Sequence, residues 1–308
     1  FSGIIYLYTM KRLHKVEQIG LICSFLLIPS ESLGQTQPKP WLLMADGQYR
    51  DADVISHSGG VTGSFGRSRT GAELIYQAED RAVDLEWYRY EHNFAGAVAG
   101  TDRSYGNTQD LMLSGFRQWK LSDKYAGQLI YGLELAAEES VGLTDGFRWG
   151  LGGALRWQPD AETDVALGLM FQDRFENSIL PVPYVKAFWR PCRYAEVELR
   201  ATGLQNGIIF RGFPTGDRAT TVDLSVAYET LNFRLADAAY GTRAVVVGEV
   251  PIRFGVTQFL EASGTWFVRA QFEWVPFARH SFKHDGETQG AFQPGATWGL
   301  GGRVGARF

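Results

Sequence analysis

The C-terminal stretch Gly295-Ala296-Thr297-Trp298-Gly299-Leu300-Gly301-Gly302-Arg303-Val304-Gly305-Ala306-Arg307-Phe308 alternates with period two. Its even positions hold Ala296, Trp298, Leu300, Gly302, Val304, Ala306 and Phe308. Its odd positions hold Gly295, Thr297, Gly299, Gly301, Arg303, Gly305 and Arg307. Successive side chains of an extended strand point to opposite faces, so one face is apolar and aromatic and the other is small or cationic.

The pattern recurs upstream. In 147–157 the apolar face is Phe147, Trp149, Leu151, Leu155 and Trp157, with Arg148, Gly150, Gly152, Ala154 and Arg156 opposite. The segments 125–137, 165–171, 222–228 and 266–274 alternate too. The last of these places Trp266, Val268, Phe272 and Trp274 on one face and Arg269 and Glu273 on the other.

Alternation fits a soluble sandwich as well as a membrane barrel, and three features favour the barrel. Segments run well past the ~5–6 residues of soluble strands, to the ~9–11 that a tilted membrane strand needs. Aromatics gather towards strand ends (Trp119, Tyr125, Trp157, Phe171, Trp274, Phe308), where interfacial girdles sit. The polar faces are rich in Gly, Arg, Gln and Glu, which suits a wet lumen better than a sandwich core. A sheet in hydrocarbon must close, because an open edge leaves backbone groups unpaired.

The expectation is therefore an all-β, antiparallel transmembrane β-barrel of about 12 strands, within a range of roughly 10–14. Short links at 78–81, 121–124 and 158–163 and longer ones at 93–109, 138–146 and 278–294 imply short periplasmic turns and longer outer loops. Secure strands are expected at 82–92, 110–120, 125–137, 147–157, 164–172, 220–229, 264–275 and 295–308. Weaker ones fall at 60–66, 71–77, 184–190, 194–202, 207–212 and 243–256. Pro181, Pro183, Pro191, Pro214 and Pro251 make the middle the hardest part to parse.

Composition agrees. Of 308 residues 36 are Gly, 14% are aromatic and 45% are hydrophobic, with a net charge of −4. Disorder is excluded, and no basic field exists to hold nucleic acid. Cys23 and Cys192 are the only cysteines, too few for a disulfide framework or a four-cysteine zinc site. At the N-terminal end, Met10 opens a basic head, Lys11-Arg12-Leu13-His14-Lys15. An apolar run over 19–28 and small residues to Gly34 follow, the pattern of a secretory signal peptide. The organisation expected is an upstream stretch at 1–9, a signal peptide at 10–34, an N-terminal periplasmic segment at 35–59 and the barrel at 60–308.

The signal peptide, the alternating strands and a last strand ending in Phe308 together resemble bacterial outer-membrane β-barrel proteins. Ile179-Leu180-Pro181-Val182-Pro183-Tyr184, with Trp189-Arg190-Pro191, resembles a family of such barrels known only as a domain of unknown function. The resemblance implies an outer-membrane location among lipid and lipopolysaccharide, and Phe308 as the terminal aromatic read by the barrel-assembly machinery. Ala306 departs from the pattern, since a larger apolar residue often stands there.

Chemistry-bearing motifs are few. His280-Ser281 and His57-Ser58 are adjacent pairs whose side chains point apart in an extended chain, whereas a Ser–His dyad on one strand needs one face. His280 and Ser281 fall in the expected outer loop and read as solvated. No histidine has metal-ligand spacing with a third ligand, and Asp285-Gly286-Glu287 lacks a calcium-loop pattern. No catalytic residue, metal or cofactor is expected. The surface left for function is the lumen, with Arg148, Arg156, Arg269, Arg303 and Arg307 facing inward beside Glu134, Glu138, Asp223, Glu229 and Glu273. These residues form either a charged constriction that selects solutes or a network of ion pairs filling a narrow barrel. The mixed signs argue against strong preference for one ion charge. A channel for small solutes is the reading adopted, with a structural or surface-binding barrel of filled lumen as the alternative.

Overall fold

The computed structural model describes residues 40–56, 63–96, 104–175, 177–203, 205–216, 218–236, 244–260, 265–284 and 286–308, the side chains of 53, 174, 177, 178 and 205 aside. The segments 1–9 and 10–34 and the His57-Ser58 pair lie outside the described residues.

The strands are β1 (Trp41–Ser56), β2 (Gly63–Gln77), β3 (Arg81–Gly96), β4 (Thr108–Lys120), β5 (Tyr125–Glu138), β6 (Phe147–Trp157), β7 (Thr163–Arg174) and β8 (Asn177–Cys192). They continue as β9 (Ala195–Ala201), β10 (Gln205–Gly212), β11 (Thr220–Arg234), β12 (Ala244–Phe259), β13 (Trp266–His284), β14 (Glu287–Pro294) and β15 (Thr297–Arg307). A 3-10 turn, Leu143–Gly146, lies between β5 and β6. Each strand from β1 to β13 pairs antiparallel with the next. β15 pairs with β13 on one side and β1 on the other, closing the ring. β14 continues the line of β15, pairing with the far part of β13 and the end of β1. Since β14 and β15 share one stave, the described residues form a 14-stave barrel. At the seam, Phe308 and Trp41 exchange both backbone hydrogen bonds, at 3.0 and 3.1 Å.

The observed number lies above the 12 expected because the short β9 and β10 both stand in the wall and 41–56 adds a stave, and two segments differ from the expected parse. First, 41–56 is a strand of the barrel rather than a periplasmic segment. Its outward Leu43 and Tyr49 alternate with inward Met44, Gln48 and Arg50. The consecutive apolar residues at 41–44, and a register shift between Arg50 and Asp53, hide the period in sequence. Second, 278–294 is no loop but the far ends of β13 and β14. The register shifts between Val250 and Ile252, opposite Trp274 and Phe277. Past that bulge the inward positions of β13 change from odd (Glu273, Val275) to even (Ala278, His280, Phe282). A bulge inserts one residue and exchanges the faces, so a fixed-period reading loses the strand there. The expected 60–66 and 71–77 segments are one strand, β2.

Outside, the barrel presents Leu167, Leu169, Phe171, Leu224, Phe254, Phe272 and Leu300, all well exposed. Such a continuous apolar exterior exceeds what a soluble monomer leaves to water, and it suits hydrocarbon. Trp266, Val268, Phe272 and Trp274 share that face, and Glu273 is 0% exposed on the other. Links at the rim opposite the termini are long at 97–107, 139–146 and 235–243 and short at 175–176, 202–204 and 285–286.

Candidate functional site: the lumen

Inward positions on β1, β2, β11, β12 and β13 carry three arginines and three glutamates at one level. Arg50 holds Glu249 bidentately, at 2.6 and 3.0 Å, and its Nε donates to Glu273. Arg67 donates to the same Glu249 at 2.9 Å, and Gln48 to Glu273 at 2.6 Å. Arg253 reaches Glu273 at 2.6 Å through Nε and Glu229 at 2.7 Å through Nη2. Glu249 and Glu273 are 1% and 0% exposed. Equal numbers of opposite charge, each with several donors or acceptors satisfied, make this a buried network in which removing any member strands another.

Farther from the termini the same strands enclose an aromatic core. Phe65, Tyr90, Tyr105, Phe233, Phe282 and Phe292 pack there with Val245 and Val247. His280, expected to be solvated, is instead 1% exposed within this core. It stacks on Phe292 at 4.3 Å and shares a 2.8 Å hydrogen bond through Nδ1 with the Tyr105 hydroxyl. The bulge turns it inward, so Ser281 faces the opposite side and the two do form no dyad. His92, beside it, bonds the Thr108 hydroxyl at 3.0 Å.

Between this filled sector and the β2–β5 wall lies a cavity of about 790 Å³. Leu42 and Phe267 line it towards the termini, and charged residues line its sides. Several of these are neutralised locally. Arg269 grips Asp223 at 2.5 and 2.7 Å, Arg69 holds Asp46 at 2.8 Å, and Arg303 lies 3.3 Å from Glu73. Arg69 also lies 4.6 Å over the Tyr88 ring, which fits against the wall because Gly71 has no Cβ to collide with it. Among the described residues, Asp84, Glu86 and Asp110 take part in no ion pair, and one oxygen each of Asp84 and Asp110 is buried without a hydrogen-bond partner. Glu73, Asp84 and Glu86 bring one carboxylate oxygen each within 4.8 Å of one another, an arrangement suited to a hard cation.

The expected lumen residues do not come together as one constriction. Glu134 and Arg148 pair on β5 and β6, both buried. Arg156 forms a bidentate pair with Asp164 at 2.7 and 2.8 Å. Asp223 with Arg269, and Glu229 with Glu273, belong to the groups above. Glu138 sits at the far rim, accepting from the Gly106 and Ala236 amides at 2.6 and 2.8 Å. Arg307 is exposed at the terminal rim, 5.3 Å over the Phe259 ring, beside exposed Phe308. Sequence reasoning missed Arg50, Arg67, Glu249 and Arg253, and the unpaired Asp84, Glu86 and Asp110. Asp84 and Glu86 share their parity with Tyr88, Tyr90 and His92 on β3, so their face was readable; their lack of partners was not.

No protein-family model and no curated protein matches the sequence. Among solved structures, the chain is similar to an outer membrane channel from Pseudomonas putida F1, with 10% identity, a TM-score of 0.42, and coverage of 91% of this chain and 100% of that one. It is similar to the P. putida toluene transporter TodX, with 10% identity, a TM-score of 0.41, and coverage of 88% and 91%. It is also similar to the KdgM porin, with 8% identity, a TM-score of 0.34, and coverage of 86% and 99%. Likenesses at this level transfer neither substrate nor activity to this chain.

Proposed function

We propose that the protein is a bacterial outer-membrane channel, a passive conduit for small solutes and not an enzyme. The observation that carries this reading is the charged cavity of about 790 Å³ inside a closed barrel whose exterior is apolar. A closed ring gives each stave a paired neighbour on both sides, as a membrane demands, and the polar interior then offers water and solute a low-cost route through it. In this reading Phe308 is the terminal aromatic that the assembly machinery reads, and the termini lie in the periplasm. The alternative of a barrel with filled lumen draws on the ion network and the aromatic core, which occupy one sector of the interior. Swelling of proteoliposomes in a small neutral sugar tests the reading. Swelling faster than in protein-free vesicles is the expected result; equal rates from folded barrel favour the filled-lumen reading.

A further inference from the structure

Among the described residues, the barrel wall is incomplete on one side. β8 pairs with β7 as far as Asn177, but with β9 only over Val185 to Cys192. β11 pairs with β10 only over Val222 to Glu229. Its continuation leans across the lumen to β5, where Arg234 and Ala137 form a parallel bridge and the Ala236 amide donates to Glu138 at 2.8 Å. Between β8 and β11 stand β9 and β10, of 7 and 8 residues. Tilted membrane strands need ~9–11 residues to cross the hydrocarbon, so this part of the wall stops short and leaves a notch in its far half.

β8 is built to border such a notch. The Arg190 amide donates to the Glu162 carbonyl on the β7 side at 2.8 Å, and the register runs unshifted to Pro183↔Leu169 and Pro181↔Phe171, so the even residues of β8 bond β7 and the odd ones point away. Both proline nitrogens therefore face the notch, and that free edge has two fewer donors to satisfy in hydrocarbon.

Behind the notch lies a second cavity, of about 290 Å³. Inward-facing Glu134, Arg148 and Gln172 line it together with Thr230 and Asn232, which sit on the outward face of β11. Residues of opposite faces can share a cavity here because β11 has left the wall. Its lining mixes charge with apolar surface: Arg148 lies 5.0 Å over the Phe175 ring, and Met112 and Met170 form the inner end. Met112, Glu134, Met170 and Thr230 also line the larger cavity, so the two adjoin. The aromatic core fills the neighbouring sector of the lumen.

We infer that the notch between β8 and β11 is a side entrance through which a small amphiphile, an apolar body with a polar group, passes from the outer leaflet into the lumen. This rests on the outer-membrane channel reading. The apolar body matches Phe175 and the methionines, and the polar group matches Gln172, Thr230 and Asn232.

The test follows uptake of the apolar fluorophore N-phenyl-1-naphthylamine by intact Gram-negative cells whose lipopolysaccharide layer retards it. Wild-type protein is compared with empty vector, with the doubly substituted Thr230→Trp/Asn232→Trp, and with Ser281→Phe, which fills the cavity from β13. Folded yield is checked by the heat-dependent gel mobility of the barrel. The same proteins are assayed for sugar-driven proteoliposome swelling. The inference predicts uptake several-fold above vector for wild type and a return towards vector for at least one folded variant. Wild-type uptake untouched by both folded variants overturns the side entrance. Swelling without enhanced uptake also overturns it and leaves the channel standing. Neither swelling nor uptake from folded wild type removes the channel reading and the side entrance with it.

Discussion

Arg50 touches two glutamates that have almost no contact with water, and its loss leaves Glu273 with Gln48 and Arg253 and Glu249 with Arg67 alone. Breaking a buried pair by removing one partner costs about 3–5 kcal/mol. Arg50→Ala is therefore expected to unfold at distinctly lower temperature, read from the heat-dependent gel shift. Arg307→Ala, exposed at the rim over Phe259, is expected to leave the transition unchanged. Equal transitions for Arg50→Ala and wild type would mean that water reaches the network. At this scale the sequence was partly legible. Period two put Arg148, Arg269 and Glu273 inside because each has apolar neighbours one residue away. It could not say which arginine meets which carboxylate, because partners such as Arg50 and Glu249 are brought together by ring closure across 199 residues.

The strands set the register, and one residue of slip would exchange every face. Leu169 points outward on β7 and the neighbouring Met170 inward, 4% exposed. An arginine facing lipid near the midplane costs about 2–4 kcal/mol. Leu169→Arg is therefore expected to lower folding stability in vesicles by about that amount, measured by urea titration of tryptophan fluorescence. Leu169→Val serves as the control and is expected to stay near wild type. A negligible loss for Leu169→Arg would place β7 outside the hydrocarbon. Elements with unbroken alternation, such as β6 and β15, were legible within a few residues. β1 and the far half of β13 were not, because a run of apolar residues in one and a bulge in the other break the period that identifies a strand. The same bulge moved His280 from an expected loop to the centre of the aromatic core.

For the whole molecule, the lumen charge that remains after pairing decides what a channel prefers. The mixed signs in sequence suggested little preference, yet most inward arginines are held by carboxylates, whereas Asp84, Glu86 and Asp110 are without ion pairs among the described residues. Fixed charge counts for more beside low-dielectric walls than in bulk water. Those three carboxylates line the larger cavity and favour cations over anions. The most direct measurement is the reversal potential of the purified protein in a planar bilayer under a potassium chloride gradient at alkaline pH, for wild type and for the doubly substituted Asp84→Asn/Glu86→Gln. Discrete conductance steps with cation preference are expected in wild type, and steps with weakened preference in the variant. Absence of steps from folded protein, or an anion preference indifferent to the two substitutions, would contradict that expectation.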